Sequence, residues 1–489
     1  MKRYILSILL LSGLTVAISG CDKFLDVRPK GTLTNDEMFS DIQGYRDAMY
    51  GVYASMADGT LYGENLSYGF VDKIGQMLVN PNPTLNDVKV SDYRYLDQTV
   101  RPTIDQIWES EYAVISYVNN ILTKAEETNI THEDLKLIQG EAYGVRAFLH
   151  FDLLRLFASD YIQKTSETGI PYAYSYDLKN KTLFSLKDSY ANVLKDLDYA
   201  EKLLESDPMD MTDIARATGP AAYRMSRYVN FNKFAVDALR ARVYRAMGDY
   251  ERASKYSAKV IEEGKACFSL VKPGDFGTVR RFPANGELIF GLFTRRLNEN
   301  VSSLFIGKDG KSASVGSGNI AEGRRDLENL YETVSFSASN TDERYNTFYK
   351  HETSGDLFTR LLASSTEKVN APLSGITLIR LPEMYLILAE SQFGTDPSKA
   401  IETLNTLRAS RGLEPRLVSS YATQGDFNAE LLREYMREFP GEGQVFFAFK
   451  HFNIPLKAFN GVNDIEPSDS KFVLPWPELE KQFGSVGKN

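Results

Sequence analysis

The chain's pattern predicts a mainly α fold in which helical pairs form a scaffold, broken by long loop-rich insertions and a few short strands. Three observations predict it. Apolar residues recur at spacings of three and four over residues 107–127 and again over 135–158. A second helical pair, over 232–264, turns on Gly248. Between these pairs lie stretches rich in Asn, Pro, Gly and Tyr, at about 59–102, 159–182 and 266–374.

The first helix carries its stripe on Ile107, Val114, Ile115, Val118, Ile121 and Leu122. Its antiparallel partner follows with Ala142, Val145, Leu149, Leu153 and Leu156. His150 falls inside that apolar run and reads as a packed core residue rather than a ligand. Residues 185–204 form a third helix. In 232–264, Ala241 and Tyr244 face the partner helix, and Tyr250 and Ala253 pack back across the turn. Small residues at a crossing let two helices approach closely. Those offsets resemble a tetratricopeptide unit. A fainter echo comes at 385–392 and 398–410, with Ala400, Leu404 and Leu407 inward and Gly412 placed to end the helix. The two turns, near Gly248 and Thr395, lie too far apart for contiguous repeats of about 34 residues. The scaffold is therefore interrupted, and long loops in a compact protein usually carry function. Ligand contacts are expected in the insertions.

The 489 residues suffice for a large core, and 43% apolar with 25% charged residues fits a globular chain. Lys and Arg number 56 against 65 Asp and Glu, a net charge of −9 with no dense basic run, which argues against nucleic-acid binding. Cys21 and Cys267 are the only thiols. The histidines, His132, His150, His351 and His451, form no close pair, and neither HExxH nor CxxC occurs, so no metal or other cofactor is expected. At the N-terminus Lys2 and Arg3 precede an apolar stretch from 4 to 18, and then Ile18-Ser19-Gly20-Cys21 resembles a bacterial lipobox. Residues 1–20 read as a lipoprotein signal peptide and 21–489 as a single domain tethered by acyl (palmitate-type) chains on Cys21. Each buried CH₂ of such a chain contributes about 0.8 kcal/mol. No later stretch reaches the ~18 apolar residues of a membrane helix.

A ligand with apolar C–H faces packs on flat aromatic rings while its polar groups bond to polar side chains. Trp108 and Trp476 read as core, so stacking falls to loop tyrosines. Tyr93 and Tyr95 flank Arg94 beside Asp92 and Asp97; Tyr68 with Asp72, and Arg324 with Tyr331, are further candidates. Such alternation is also that of an ordinary half-buried strand. A second alternating run is Tyr172, Tyr174 and Tyr176. Catalytic motifs are wanting. Residues 305–312 look like a P-loop but carry Phe305 where glycine is required, and no GxSxG is present. Among 65 acidic residues a glycosidase dyad cannot be singled out. No catalytic residue is assigned.

Several segments, in order, resemble the SusD/RagB family of outer-membrane nutrient-binding lipoproteins of Bacteroidota. They are Cys21-Asp22-Lys23-Phe24-Leu25-Asp26-Val27 with Pro29; Ala48-Met49-Tyr50-Gly51-Val52-Tyr53; Glu141-Ala142 with Arg146-Ala147-Phe148; Arg380-Leu381-Pro382-Glu383-Met384-Tyr385-Leu386 with Ala389-Glu390; Leu404-Asn405 with Arg408 and Gly412-Leu413; and Leu474-Pro475-Trp476-Pro477 with Glu480. The chain departs from the pattern at Glu434-Tyr435, at Val445 and Ala448, and at Pro440-Gly441, which interrupts an expected helix. The resemblance implies a non-enzymatic protein at the cell surface. It implies a glycan or other nutrient as ligand, delivered to a SusC-like TonB-dependent transporter in the outer membrane. A peptide receptor of the RagB kind and, from another class, a surface glycoside hydrolase are the alternatives.

Overall fold

The computed structural model describes residues 34–77, 84–164, 166–209, 223–225, 227–277, 286–297, 300–301, 314–315, 327–333, 342–352, 355–362, 375–455 and 465–484. Helices dominate it. Helix α1 (Ile42–Met56) is capped by Asp41, whose carboxylate accepts from the Gly44 N–H at 3.0 Å. Helix α2 (Arg101–Glu127) starts a turn before its apolar stripe, with Pro102 in the first turn, where a missing N–H costs nothing. Helix α3 (Glu133–Phe157) is capped by His132, whose Nδ1 accepts from the Asp134 N–H at 3.0 Å. Helix α4 (Leu186–Leu204) is capped by Ser185, which accepts from the Asp188 N–H at 3.0 Å. α3 is buried on nearly every side because α1, α2 and α4 all pack on it. His150 is fully buried there, as its apolar surroundings predict.

The expected tetratricopeptide-like pair is α5 (Lys233–Ala246) and α6 (Tyr250–Glu263). Asn232 opens it by accepting from the Phe234 and Ala235 N–H groups, both at 3.0 Å. Gly248 takes φ +71° between the helices, a conformation strained for any residue with a Cβ. Across the pair, the Tyr244 and Tyr256 rings stack at 5.7 Å. The late echo is also a helical pair, α7 (Leu381–Phe393) and α8 (Pro397–Ser410), and Gly412 follows it at φ +80°. α7 packs on α6, on α8 and on α9 (Gln424–Glu438). Pro440 falls in the break between α9 and α10 (Val445–Phe452), where Gly441 and Gly443 turn the chain at φ +84° and +68°. The departure from the family pattern is thus two helices and a turn.

The strands are few and short. β1 (Thr168–Tyr172) pairs antiparallel with β2 (Thr182–Ser185). β3 (Leu288–Phe293) pairs antiparallel with β7 (Gly375–Arg380) across a separation bridged by the largest insertion. β4 (Ser314–Val315), β5 (Tyr349–Glu352) and β6 (Gly355–Phe358) form a small sheet ordered β4–β6–β5.

A buried web of charge fastens this insertion to the scaffold. Arg380 donates to Glu287 at 2.9 Å and Glu438 at 2.7 Å, and Arg411 reaches the same two carboxylates, each at 2.9 Å. Arg344 bridges Asp342, Glu434 and Glu438, and Arg408 and Arg437 converge on Glu434. The surrounding guanidinium groups overcome burial and hold Glu434 and Glu438 below the ordinary carboxylate range. Desolvation makes such pairs poor net stabilisers, but removing one partner strands a buried charge at a cost of about 3–5 kcal/mol. The Arg380 and Arg408 positions of the sequence pattern, with Glu438, are therefore joints of the fold.

Candidate functional site

The insertion over 59–102 does not stand out as an open loop. It folds back on the core through a run of turns and the short helices Phe70–Ile74 and Leu85–Ser91. Tyr68, Asp72 and Tyr95 consequently face inward, and Tyr331, in the largest insertion, is buried as well, which corrects the sequence expectation. Tyr68 is 1% exposed and donates its hydroxyl to the Gly63 carbonyl. Asp72, fully buried, accepts from the Gly441 and Gly443 N–H groups, and burial pushes its pKa up to about 8 against that pull. Tyr95, 4% exposed, donates to the Lys471 carbonyl at 2.6 Å, and Tyr331, fully buried, donates to the Arg437 carbonyl at 3.0 Å. Tyr93 is half-buried at φ +57°, its hydroxyl on the Ile74 carbonyl at 2.9 Å. Arg94 is exposed, paired with Asp92 at 3.3 Å. Cys21 and Arg324 lie outside the described residues.

The insertion over 159–182 builds a surface instead. β1 runs inward at Ile170 and Tyr172, and the chain then crosses the outer side of α2 and α3. Tyr172 donates to Asp196 at 2.7 Å and lies flat on the His150 ring at 3.7 Å. His150 Nδ1–H donates to the Arg146 carbonyl at 2.9 Å and Nε2 accepts from the Ala173 N–H at 3.1 Å. That pairing suits the neutral ring, and burial brings its pKa down to about 3. Beyond Tyr172 the segment alternates. Tyr174 and Tyr176 point outward, 40% and 52% exposed. The Arg146 guanidinium lies under the Tyr174 and Tyr143 rings at 5.4 and 5.1 Å.

Residues 171, 173, 175 and 177, on the opposite side, line a cleft of roughly 450 Å³. Its other walls are α2 and the tail helix Glu478–Phe483. The walls are held rigidly. Tyr112 donates to the Pro171 carbonyl at 2.6 Å, Asn119 to Ala173 at 3.0 Å, and Asn180 to the Phe483 carbonyl at 2.7 Å. Lys181 closes the loop on Asp177 at 2.7 Å. Trp108 lines the cleft but is buried, packed on Trp476 at 5.0 Å. The apolar surface left to solvent is Leu479 and Phe483, 63% and 70% exposed. Flat and apolar surface next to carboxylates, amides and an ammonium group is what a sugar requires. Asp177 is held below the ordinary carboxylate range by its Lys181 and Ser175 hydrogen bonds, which makes it a poor general acid.

Sequence reasoning noted the Tyr172, Tyr174 and Tyr176 alternation but missed the cleft, whose polar residues come from three distant segments. Among the described residues no group of three His, Cys, Asp or Glu side chains could hold a metal, and no helix is long and apolar enough to cross a membrane.

Two family models match the chain. One, described as "Starch-binding associating with outer membrane", covers residues 23–230, and another, "SusD family", covers 306–472. The SusD-like protein P2 of Formosa agariphila is 22% identical over 539 residues, spanning 100% of this chain and 99% of its own. A SusD superfamily protein from Bacteroides thetaiotaomicron VPI-5482 superposes with TM-score 0.69 at 20% identity, covering 91% of this chain and 98% of that one. A putative sugar binding protein from Bacteroides vulgatus ATCC 8482 gives 0.70 at 17% identity, with 91% and 97% covered. A laminarin binding SusD-like protein gives 0.61 at 17%, with 91% and 98% covered.

Proposed function

The chain belongs to the SusD/RagB family, and on that premise we propose that it is a cell-surface glycan-binding lipoprotein that captures oligosaccharide without cleaving it. It hands the ligand to a SusC-like TonB-dependent transporter and is held at the outer membrane by lipid on Cys21. The observation that carries the reading is the cleft between α2, the 171–181 segment and the tail helix. It presents Phe483 and Leu479 beside rigidly held polar groups, and needs no perturbed acid or base to bind a sugar. The laminarin binding neighbour and the starch-binding description of the matching family model make β- and α-glucans the first ligands to try.

The test is calorimetric titration of the mature chain with laminari- and malto-oligosaccharides, with chromatography of the recovered sugar and a parallel titration with mixed peptides. Binding with the sugar returned intact supports the proposal. Cleavage would turn it into a hydrolase, and peptide binding alone would favour the RagB-like alternative. Detergent extraction without co-purification of a β-barrel transporter would remove the delivery role.

A further inference from the structure

Where α3, α4, α5, α7, α9 and α10 meet there is a small cavity of about 40 Å³, which shares no lining residue with the glycan cleft. Water needs about 10–15 Å³ of such space, so the cavity admits about three waters or one small ion. Four side chains lining it carry buried polar atoms without a hydrogen-bond partner among the described residues: Arg242 Nη1, Arg245 Nη2, the Tyr435 hydroxyl and His451 Nδ1. These residues are 4%, 9%, 2% and 8% exposed. Buried donors left unpaired cost about 1–3 kcal/mol each, so their concentration in one place calls for a partner.

The rest of each group is anchored, leaving the orphan atoms fixed. Arg242 grips Glu383 with Nε and Nη2, both at 2.6 Å, and donates to the Leu378 carbonyl at 2.6 Å. Arg245 holds Glu390 at 2.5 Å and lies over the Tyr435 and Phe452 rings at 5.0 and 4.9 Å. His451 Nε2 meets the same Glu390 at 2.6 Å. Lys450 spends two of its N–H groups on the Arg155 and Ala158 carbonyls, each at 2.6 Å. Arg155, Arg242, Arg245 and Lys450 thus line the cavity as cations, against Asp160 and Glu383 as acids. The orphans are mainly donors, and the three guanidinium charges are each matched by a carboxylate, Arg155 by Asp152, Arg242 by Glu383 and Arg245 by Glu390.

We propose that this cavity binds one small anion, a halide or a carboxylate no larger than acetate, held by Arg242 Nη1, Arg245 Nη2 and the Tyr435 hydroxyl. The anion would clasp α5 to α9, at a place that shares no lining residue with the glycan cleft.

Bromide and formate are the probes. In crystals soaked in sodium bromide, an anomalous peak is expected within hydrogen-bond reach of Arg242 and Arg245. In solution, bromide or formate should raise the thermal midpoint saturably by about 1–3 °C over gluconate at equal ionic strength, since gluconate is too large to enter. Tyr435→Phe removes a donor without removing charge and should shift that saturation to higher anion concentration several-fold. Three results would each overturn the proposal: water alone in the soaked cavity, no difference between formate and gluconate, or an identical response in Tyr435→Phe, which marks an adventitious ion only.

Discussion

Two tyrosine runs in this protein look alike as sequence and have opposite fates. In Tyr93-Arg94-Tyr95 the second ring is sealed in the core, its hydroxyl tied to a carbonyl 376 residues away, and the first is half-covered at 6.0 Å edge-on to it. In Tyr172 to Tyr176 the first ring is sealed, stacked on His150, while Tyr174 and Tyr176 stand in solvent. The first run sits where the chain folds back over α2 and meets the C-terminal segment. The second follows a strand that leaves the core at its end. Alternation reports that two faces differ; which face is wet depends on what else arrives there.

The contrast can be broken by substitution. The largest effect is expected at Tyr95→Ala, where an aromatic core side chain is deleted and the Lys471 carbonyl is orphaned. Denaturant unfolding should show a loss of about 3–5 kcal/mol, with glycan affinity of the remaining folded protein unchanged. A loss under about 1 kcal/mol would mean the ring is not core.

Acid should strike the second run through His150. Its folded pKa, lowered to about 3 by burial, lies below an unfolded value of about 6.5, so the unfolded chain binds the extra proton between them. The contribution is complete above pH ~6.5 and is lost as pH falls towards 3, at about 1.4 kcal/mol per unit. Between those limits the melting midpoint should fall less steeply with decreasing pH in His150→Gln than in the wild type. Parallel slopes would show that His150 is protonated in the fold.

At the cleft, Phe483→Ala should weaken oligosaccharide binding by about 1–3 kcal/mol if the ring is an anchor, with little change in melting. Equal affinity in calorimetry would move the site elsewhere. The smallest effect is expected at Tyr176→Ala, within about 0.5 kcal/mol in stability, because the ring is half in solvent already. An affinity loss there would place ligand on the tyrosine face rather than in the cleft, sharpening the comparison in the other direction.

Much of the scaffold was readable because its signals are local. The helical stripes and the Gly248 and Gly412 turns act within a few residues, where backbone geometry and spacing decide the outcome, whereas the start of α2 at Arg101, a turn before its stripe, lay inside the expected insertion. The ordered segments of the family pattern were equally legible. What Arg380, Arg408, Glu434 and Glu438 do was not: they meet across dozens of residues in one buried web, and no spacing announces it. The candidate site divides the same way. Tyr68, Asp72, Tyr95 and Tyr331 were chosen for residue type in loop-like sequence, and tertiary packing buried them. The cleft needed α2, the 171–181 segment and the tail helix brought together. By itself the sequence determined the mainly helical class, the stripes of the paired helices and the family, because those rest on neighbours in the chain. Only the tertiary structure decided which rings and charges meet water, because burial is set by whatever distant segment packs on top.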